Sequence, residues 1–199
     1  MKRAFDVVVA SAGLVVTSPV LAVAAIAVKL SSPGPAFYRG VRVGRDGRDF
    51  HIFKLRTMRL GADTQGPALT GAADPRVTRV GKLLRRTKLD ELPQLVNVIR
   101  GEMSLVGPRP EHPDFVKHYS EEQRQVLSVR PGITGPSSLA YMREEEMLTG
   151  GDPVAQYVGT IMPRKLALDL DYVRTRTFAG DLKLLWATAA RLVGFSRRD

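Results

Sequence analysis

Cysteine is absent from this 199-residue sequence, and histidine occurs three times. These scarcities exclude disulfides, thiolate nucleophiles and cysteine-based zinc or iron–sulfur centres, and they leave no basis for a His-rich metal site. Aromatic residues make up only 7% of the chain. The basic segments carry no interleaved aromatics of the kind that stack on nucleobases, so nucleic acid is not an expected partner. No internal repeat is visible. Chemistry therefore falls to carboxylates and cations. The cations dominate: 30 Lys+Arg against 20 Asp+Glu give a formal net charge of +10. Partners should be anionic, as phosphorylated substrates and lipid surfaces are. A chain of this length suits one packed domain with an appendage.

Charge itself is missing from one long stretch. Val7 to Val28 is uncharged over 22 residues, which at about 1.5 Å per residue matches the roughly 30 Å hydrocarbon core of a bilayer. Ser18-Pro19 interrupts it, because proline lacks an N–H and its ring presses on the carbonyl of Val15. The helix is expected to bend or break there. Lys2 and Arg3 precede the run, and Lys29, Arg39 and Arg42 follow it. Cationic flanks prefer the cytoplasmic side, and a straight span satisfies that preference at one end only. Residues 1–30 are therefore expected to form a re-entrant membrane helix-break-helix that enters and leaves by one face. Thr17 and Ser18 hydroxyls would serve the carbonyls freed at the break. A cleaved leader would have a shorter apolar core and a small-residue cleavage site. A buried core helix also fits a run rich in Ala and Val, but the length and all-round apolar character favour lipid.

Residues 31–199 predict an α+β, mainly helical domain. Phe37 to Arg42 and Phe50 to Leu55 have strand character around the turn signal Gly44-Arg45-Asp46-Gly47, which makes a small β-hairpin. Gly61 to Pro75 has no apolar period and is expected to be a loop. Val80 to Arg86 and Leu92 to Ile99 have helical spacing, with Gly101 as a stop. Ser120 to Val129 opens with a Ser-Glu-Glu-Gln capping pattern and predicts a helix closed by Pro131. Asp181 to Val193 predicts an amphipathic helix, suited to a core or to a membrane interface.

Chemistry concentrates where Arg76, Arg79, Lys82, Arg85, Arg86 and Lys88 lead into Asp90-Glu91. Pro93 is tolerated only in a first helical turn, so the acids should lie at a helix start, where N–H groups and the helix dipole favour anions. Simple N-capping is the common meaning of such a pair. An ionised carboxylate can also attack phosphorus without a base, provided cations offset the repulsion between anions. A neighbouring Glu91 holding Mg²⁺ and arginine forks bridging phosphoryl oxygens would supply that field. Gly107-Pro108-Arg109-Pro110 and Arg130-Pro131-Gly132 each fix the backbone around an arginine, which suits phosphate recognition as well as an ordinary turn. Lys54 and Arg56, two apart on a strand, share a face that is either pocket or surface.

Taken together, these segments resemble the bacterial sugar transferases, the monotopic polyprenyl-phosphate phosphoglycosyl transferases, in their minimal catalytic-domain form. The resemblance runs from Lys2-Arg3-Ala4-Phe5-Asp6 through Ser18-Pro19, Phe37-Tyr38-Arg39, Val43-Gly44-Arg45-Asp46-Gly47 and Phe53-Lys54-Leu55-Arg56-Thr57-Met58. It continues through Arg85-Arg86-Thr87-Lys88-Leu89-Asp90-Glu91-Leu92-Pro93-Gln94-Leu95, Gly101-Glu102-Met103-Ser104-Leu105-Val106-Gly107-Pro108-Arg109-Pro110 and Arg130-Pro131-Gly132-Ile133-Thr134-Gly135. It implies a Mg²⁺-dependent Asp-Glu dyad, with Asp90 as nucleophile and Glu91 as metal ligand. Lys54, Arg56, Arg85, Arg109 and Arg130 would bind substrate phosphates. The implied partners are a UDP-sugar, polyprenyl phosphate and membrane lipids at the cytoplasmic face of a bacterial inner membrane, and a homodimer is left open. Two departures bear on the donor: Lys88 stands where serine is frequent, and Pro136 to Glu146 replaces the commoner continuation after Ile-Thr-Gly. Charge and anchor alone would equally suit a non-enzymatic polybasic membrane adaptor, and the dyad alone a membrane-bound phosphohydrolase.

Overall fold

The computed structural model describes residues 1–62, 66, 69, 71, 74–148 and 152–196. Much of the loop expected from Gly61 to Pro75 lies outside these residues. The first element, α1 (Lys2–Ser31), is followed by the antiparallel hairpin β1 (Phe37–Val43) and β2 (Asp49–Leu55), which pair from Phe37↔Leu55 to Val43↔Asp49. The turn between them places Asp46 and Gly47 at positive φ, as the Asp-Gly signal requires. Next come α2 (Arg79–Arg86), a 3₁₀ turn (Leu89–Glu91) and α3 (Gln94–Arg100), which ends at left-handed Gly101. A second, parallel pair joins β3 (Ser104–Val106) to β4 (Gly132–Thr134). The rest is helical: α4 (Pro113–Val116), α5 (Pro136–Ala140), α6 (Glu144–Met147), α7 (Pro153–Gln156), α8 (Met162–Thr175) and α9 (Phe178–Ser196). A π turn over Tyr157–Ile161 links α7 to α8. The expectation of a mainly helical α+β domain with a small hairpin is met.

Two local expectations need correction. The helix is unbroken through Pro19. Val15 O, the acceptor that Pro19 cannot serve, takes the Ser18 hydroxyl at 2.8 Å, and Gly13 O takes the Thr17 hydroxyl at 2.7 Å. Side chains thus replace the lost backbone donor and the helix continues. Gln123–Ser128 is 3₁₀ rather than α-helix. Its capping box forms nonetheless, with Ser120 Oγ accepting from Gln123 N at 3.2 Å and Gln123 Oε1 accepting from Ser120 N at 2.9 Å.

α1 lies along the domain. Ala10 packs with Leu95, Val98 and Leu105, while Leu21, Ala24 and Val28 pack with Leu55 and Leu84. Both ends are fastened to the same body. Lys2 Nζ sits 2.8 Å from Asp181 Oδ2, and Arg3 donates to Val98 O at 2.6 Å and to Ile99 O at 3.0 Å. At the other end Arg56, from the edge of β2, donates to Ser32 O at 2.8 Å and to Pro33 O. The opposite face leaves Val8, Val9, Val15, Val16, Val20, Val23 and Ile26 exposed. A contiguous apolar face of that kind marks a contact surface. By length and apolarity α1 alone, among the described residues, is suited to crossing a membrane.

Candidate active site

The acid pair is placed by a tight reversal between α2 and α3. Thr78 caps α2, its Oγ1 accepting from Gly81 N at 2.9 Å. Gly81 then lies so close to Thr57 O that a Cβ would sit 2.0 Å from it. α2 is thereby seated on the end of the hairpin. After α2, Lys88 adopts φ 56°, ψ 14°, a left-handed conformation that costs a non-glycine residue about 1–2 kcal/mol. The chain turns back, and Asp90 and Glu91 fall in the 3₁₀ turn ahead of Pro93.

Asp90 is not an N-cap. It is 7% exposed and accepts no hydrogen bond among the described residues, and its Oδ1 is buried without a partner. Such an acceptor costs about 1–3 kcal/mol. Its other oxygen, Oδ2, is the one open to an approaching group. Burial pushes its pKa up to about 6; Lys54 opposes that shift, Glu91 adds to it, and Arg85 and Lys88 also favour the charged form. Glu91 is the converse case. Lys54 Nζ lies 2.7 Å and Arg109 Nη2 3.0 Å from Glu91 Oε1. Burial works against its charge, but Arg109 and Lys54 outweigh burial and hold the carboxyl well below the usual range. In return Glu91 raises the Arg109 pKa, while burial lowers that of Lys54. One acid is thus clamped in the charged form, and its neighbour is left without donors.

Among the residues expected at the site, Lys54, Arg85 and Arg109 converge on the pair. Arg85 Nε donates to Thr57 Oγ1 at 2.9 Å, and its Nη1 lies 3.7 Å from Glu145 Oε2. Arg56 and Arg130 have other work. Arg56 is buried on the carbonyls that follow α1. Arg130 Nε donates to Gly101 O at 2.7 Å, at the opposite end of α3 from the pair. Ser18 and Pro19 are exposed in the middle of α1.

Several participants were missed. Arg42, its pKa lowered by burial and supported by Glu111, lies within the fields of Arg109 and Glu91. Glu111 Oε2 takes the Tyr157 hydroxyl; Lys165 Nζ donates to that hydroxyl at 3.1 Å and to Glu144. Asp169 accepts Ser137 Oγ at 2.7 Å and the Arg109 backbone N–H. Burial raises its pKa to about 6. Glu111 could have been found as the continuation of Pro108-Arg109-Pro110. Tyr157, Lys165 and Asp169 carry no local signal. Through Glu144 and Glu145, the divergent Pro136–Glu146 segment reaches the site's rim.

The arrangement provides a buried carboxylate without donors, a clamped anionic partner and cations able to receive phosphate oxygens. A family model described as bacterial sugar transferase matches residues 1–194. A Caulobacter vibrioides protein named UDP-glucose:undecaprenyl-phosphate glucose-1-phosphate transferase is 43% identical over 195 residues, covering 96% of this chain and 69% of that protein. An Escherichia coli protein of the same name is 40% identical over 195 residues, covering 94% and 39%. An Aeromonas hydrophila UDP-N-acetylgalactosamine-undecaprenyl-phosphate N-acetylgalactosaminephosphotransferase is 42% identical over 140 residues, covering 68% and 33%. The chain therefore spans well under half the length of the latter two relatives.

Proposed function

This chain belongs to the bacterial sugar transferase family, and on that premise we propose that it moves a sugar 1-phosphate from a UDP-sugar to undecaprenyl phosphate. The reading rests on one observation above the rest: Asp90 is buried and donor-free beside Glu91, which Lys54 and Arg109 hold charged. Asp90 Oδ2 attacks the sugar-linked phosphorus. The bond from that phosphorus to the bridging oxygen breaks, and UMP departs with the electron pair, leaving a phosphosugar on Asp90. A phosphate oxygen of the polyprenyl acceptor then attacks the same phosphorus, and the Asp90–phosphorus bond breaks to restore the carboxylate. Arg85, Arg109 and Lys54 offset the charge of the diphosphate as it meets two carboxylates.

Mg²⁺ fits this site in one mode. The described residues contain no cluster of three or more metal-ligating side chains, but Mg²⁺ commonly binds one or two carboxylates plus substrate phosphates. Glu91 Oε2, which accepts no hydrogen bond among the described residues, is the oxygen that would hold it. When bound, the ion would neutralise charge on the diphosphate.

The membrane reading is monotopic attachment at the cytoplasmic face of the inner membrane, with both ends of α1 held at that one face. Clasps from both ends of α1 to one body, together with its exposed apolar face, support that reading. Labelling of single cysteines placed at positions 3 and 42 should come from one side of the membrane; labelling from opposite sides would make α1 a span. For the chemistry, purified protein with UDP-glucose, Mg²⁺ and undecaprenyl phosphate should release UMP and form a lipid-linked sugar diphosphate. Release of UDP would indicate ordinary glycosyl transfer. Sustained UMP release at full rate without lipid acceptor would make water the acceptor.

A further inference from the structure

From Leu89 to Arg100 the chain turns almost continuously, and Asp90, Pro93, Gln94, Leu95, Asn97 and Val98 are buried. That spacing places all of them but Leu95 on one face. Three carry polar side chains, and they have unequal partners. Asn97 is fully engaged: its Oδ1 accepts from Phe53 N at 3.0 Å, and its Nδ2 donates to His51 O at 2.8 Å and to Glu102 Oε2 at 2.7 Å. One turn earlier Gln94 is 2% exposed, and its Nε2 is buried with no partner. A further turn earlier Asp90 Oδ1 is buried with no donor. An unmet donor and an unmet acceptor thus occupy successive turns of one buried face. Buried polar atoms are rarely left this way without a role.

We propose that Gln94 is a positioning residue for the nucleophile: in the reacting enzyme its Nε2 donates to Asp90 Oδ1, fixing the carboxylate plane with Oδ2 toward the donor's phosphorus. This rests on the transfer reading above. The terminal torsion of an aspartate is broad and intrinsically loose, so an unbonded Asp90 presents its attacking oxygen over a range of directions. In-line displacement needs one of them. A donor on the inner oxygen removes that freedom and favours the ionised carboxylate. Gln94 is too enclosed to reach substrate itself, so its influence passes through Asp90.

The test is rapid-quench measurement of the UMP burst from UDP-glucose without lipid acceptor, for wild type and Gln94→Met, which keeps the side-chain length and removes the donor. The expected result is a burst of native amplitude with its rate constant slowed about ten- to a hundredfold and the steady-state KM for UDP-glucose within about twofold. Three outcomes would overturn the proposal: a native burst rate, a reduced amplitude at native rate, as for a merely structural residue, or a raised KM at native rate, as for a donor contact. Should Gln94→Met not fold, Gln94→Asn serves, since the shortened amide should also slow the burst at native amplitude, and a native burst from it overturns the role. Absence of any burst from wild type would instead sink the covalent reading.

Discussion

Arg109 and Arg130 are presented by two motifs of the same make, each with a proline between a glycine and the arginine, and the two motifs are hydrogen-bonded to each other. Gly132 N donates to Pro108 O at 2.8 Å, Ser104 N to Pro131 O at 2.8 Å and Gly107 N to Thr134 O at 2.9 Å. They pack so tightly that a Cβ on Gly132 would lie 2.1 Å from Gly107 N. Yet Arg109 reaches Glu91 from one side of this junction, and Arg130 reaches the carbonyl of Gly101 from the other. Lys54 and Arg56 repeat the contrast on a single strand, the first on Glu91 and the second on the carbonyls after α1. Rigid presentation therefore does not decide what a cation does. The decision lies with whatever the tertiary fold places opposite it: a carboxylate that a substrate can share, or a carbonyl that only the fold needs.

The largest expected effect is on the site side of this contrast. Asp90→Asn should lower UMP release by at least about a thousandfold with thermal stability unchanged or higher, because a buried charge is removed; activity within tenfold of wild type would break the assignment. Arg109→Ala should lower kcat/KM by about a hundredfold, and Lys54→Met should behave in the same way, each with some loss of melting temperature because the buried Glu91 carboxylate loses a partner. On the clasp side the order reverses. Arg56→Met should cost about 1.5–3 kcal/mol of stability, since it removes the charge-assisted bonds that a buried guanidinium makes to the carbonyls after α1, and Arg130→Ala about 1–2 kcal/mol. Denaturant melts with kinetics on the folded fraction would check both pairs; a hundredfold loss in kcat/KM with Arg130→Ala at native stability would erase the distinction.

Recognising the pair from sequence was a matter of local pattern. The hairpin followed from Gly44 to Gly47, α2 and α3 from apolar spacing, and the acids from their place ahead of Pro93. What could not be read was long-range. Arg56 finds carbonyls 23 and 24 residues away, Arg130 one 29 residues away, and Tyr157 a carboxylate 46 residues away. Nothing in local periodicity encodes such partners. At Pro19 the chain stays helical for a local reason of a different kind: the residue before the proline carries a hydroxyl that serves the abandoned carbonyl. The α8 helix escaped notice because its buried face carries Lys165 and Asp169 among Met162, Leu166 and Leu170, which interrupts the apolar period.

Two smaller effects sharpen the contrast around Arg109. Asp169 accepts the Arg109 backbone N–H, and its pKa is raised to about 6 by burial. Raised above its unfolded value of 3.8, it favours the folded protein when protonated, and that contribution is lost as pH rises through about 6. The Asp169→Asn variant should therefore gain melting temperature relative to wild type between pH 4 and pH 7; a pH-independent difference would contradict the shift. Glu145→Gln should change KM for the UDP-sugar by no more than about threefold, because its contact with Arg85 is long and half-exposed. Steady-state kinetics would show it.

In the proposed reaction Asp90 carries the sugar phosphate. Protein incubated with UDP-glucose and Mg²⁺ in the absence of polyprenyl phosphate, then measured by intact-protein mass spectrometry, should gain the mass of one sugar phosphate. Asp90→Asn should gain nothing. An adduct that persists in Asp90→Asn, or its absence from a wild-type enzyme that releases a stoichiometric burst of UMP, would contradict the account.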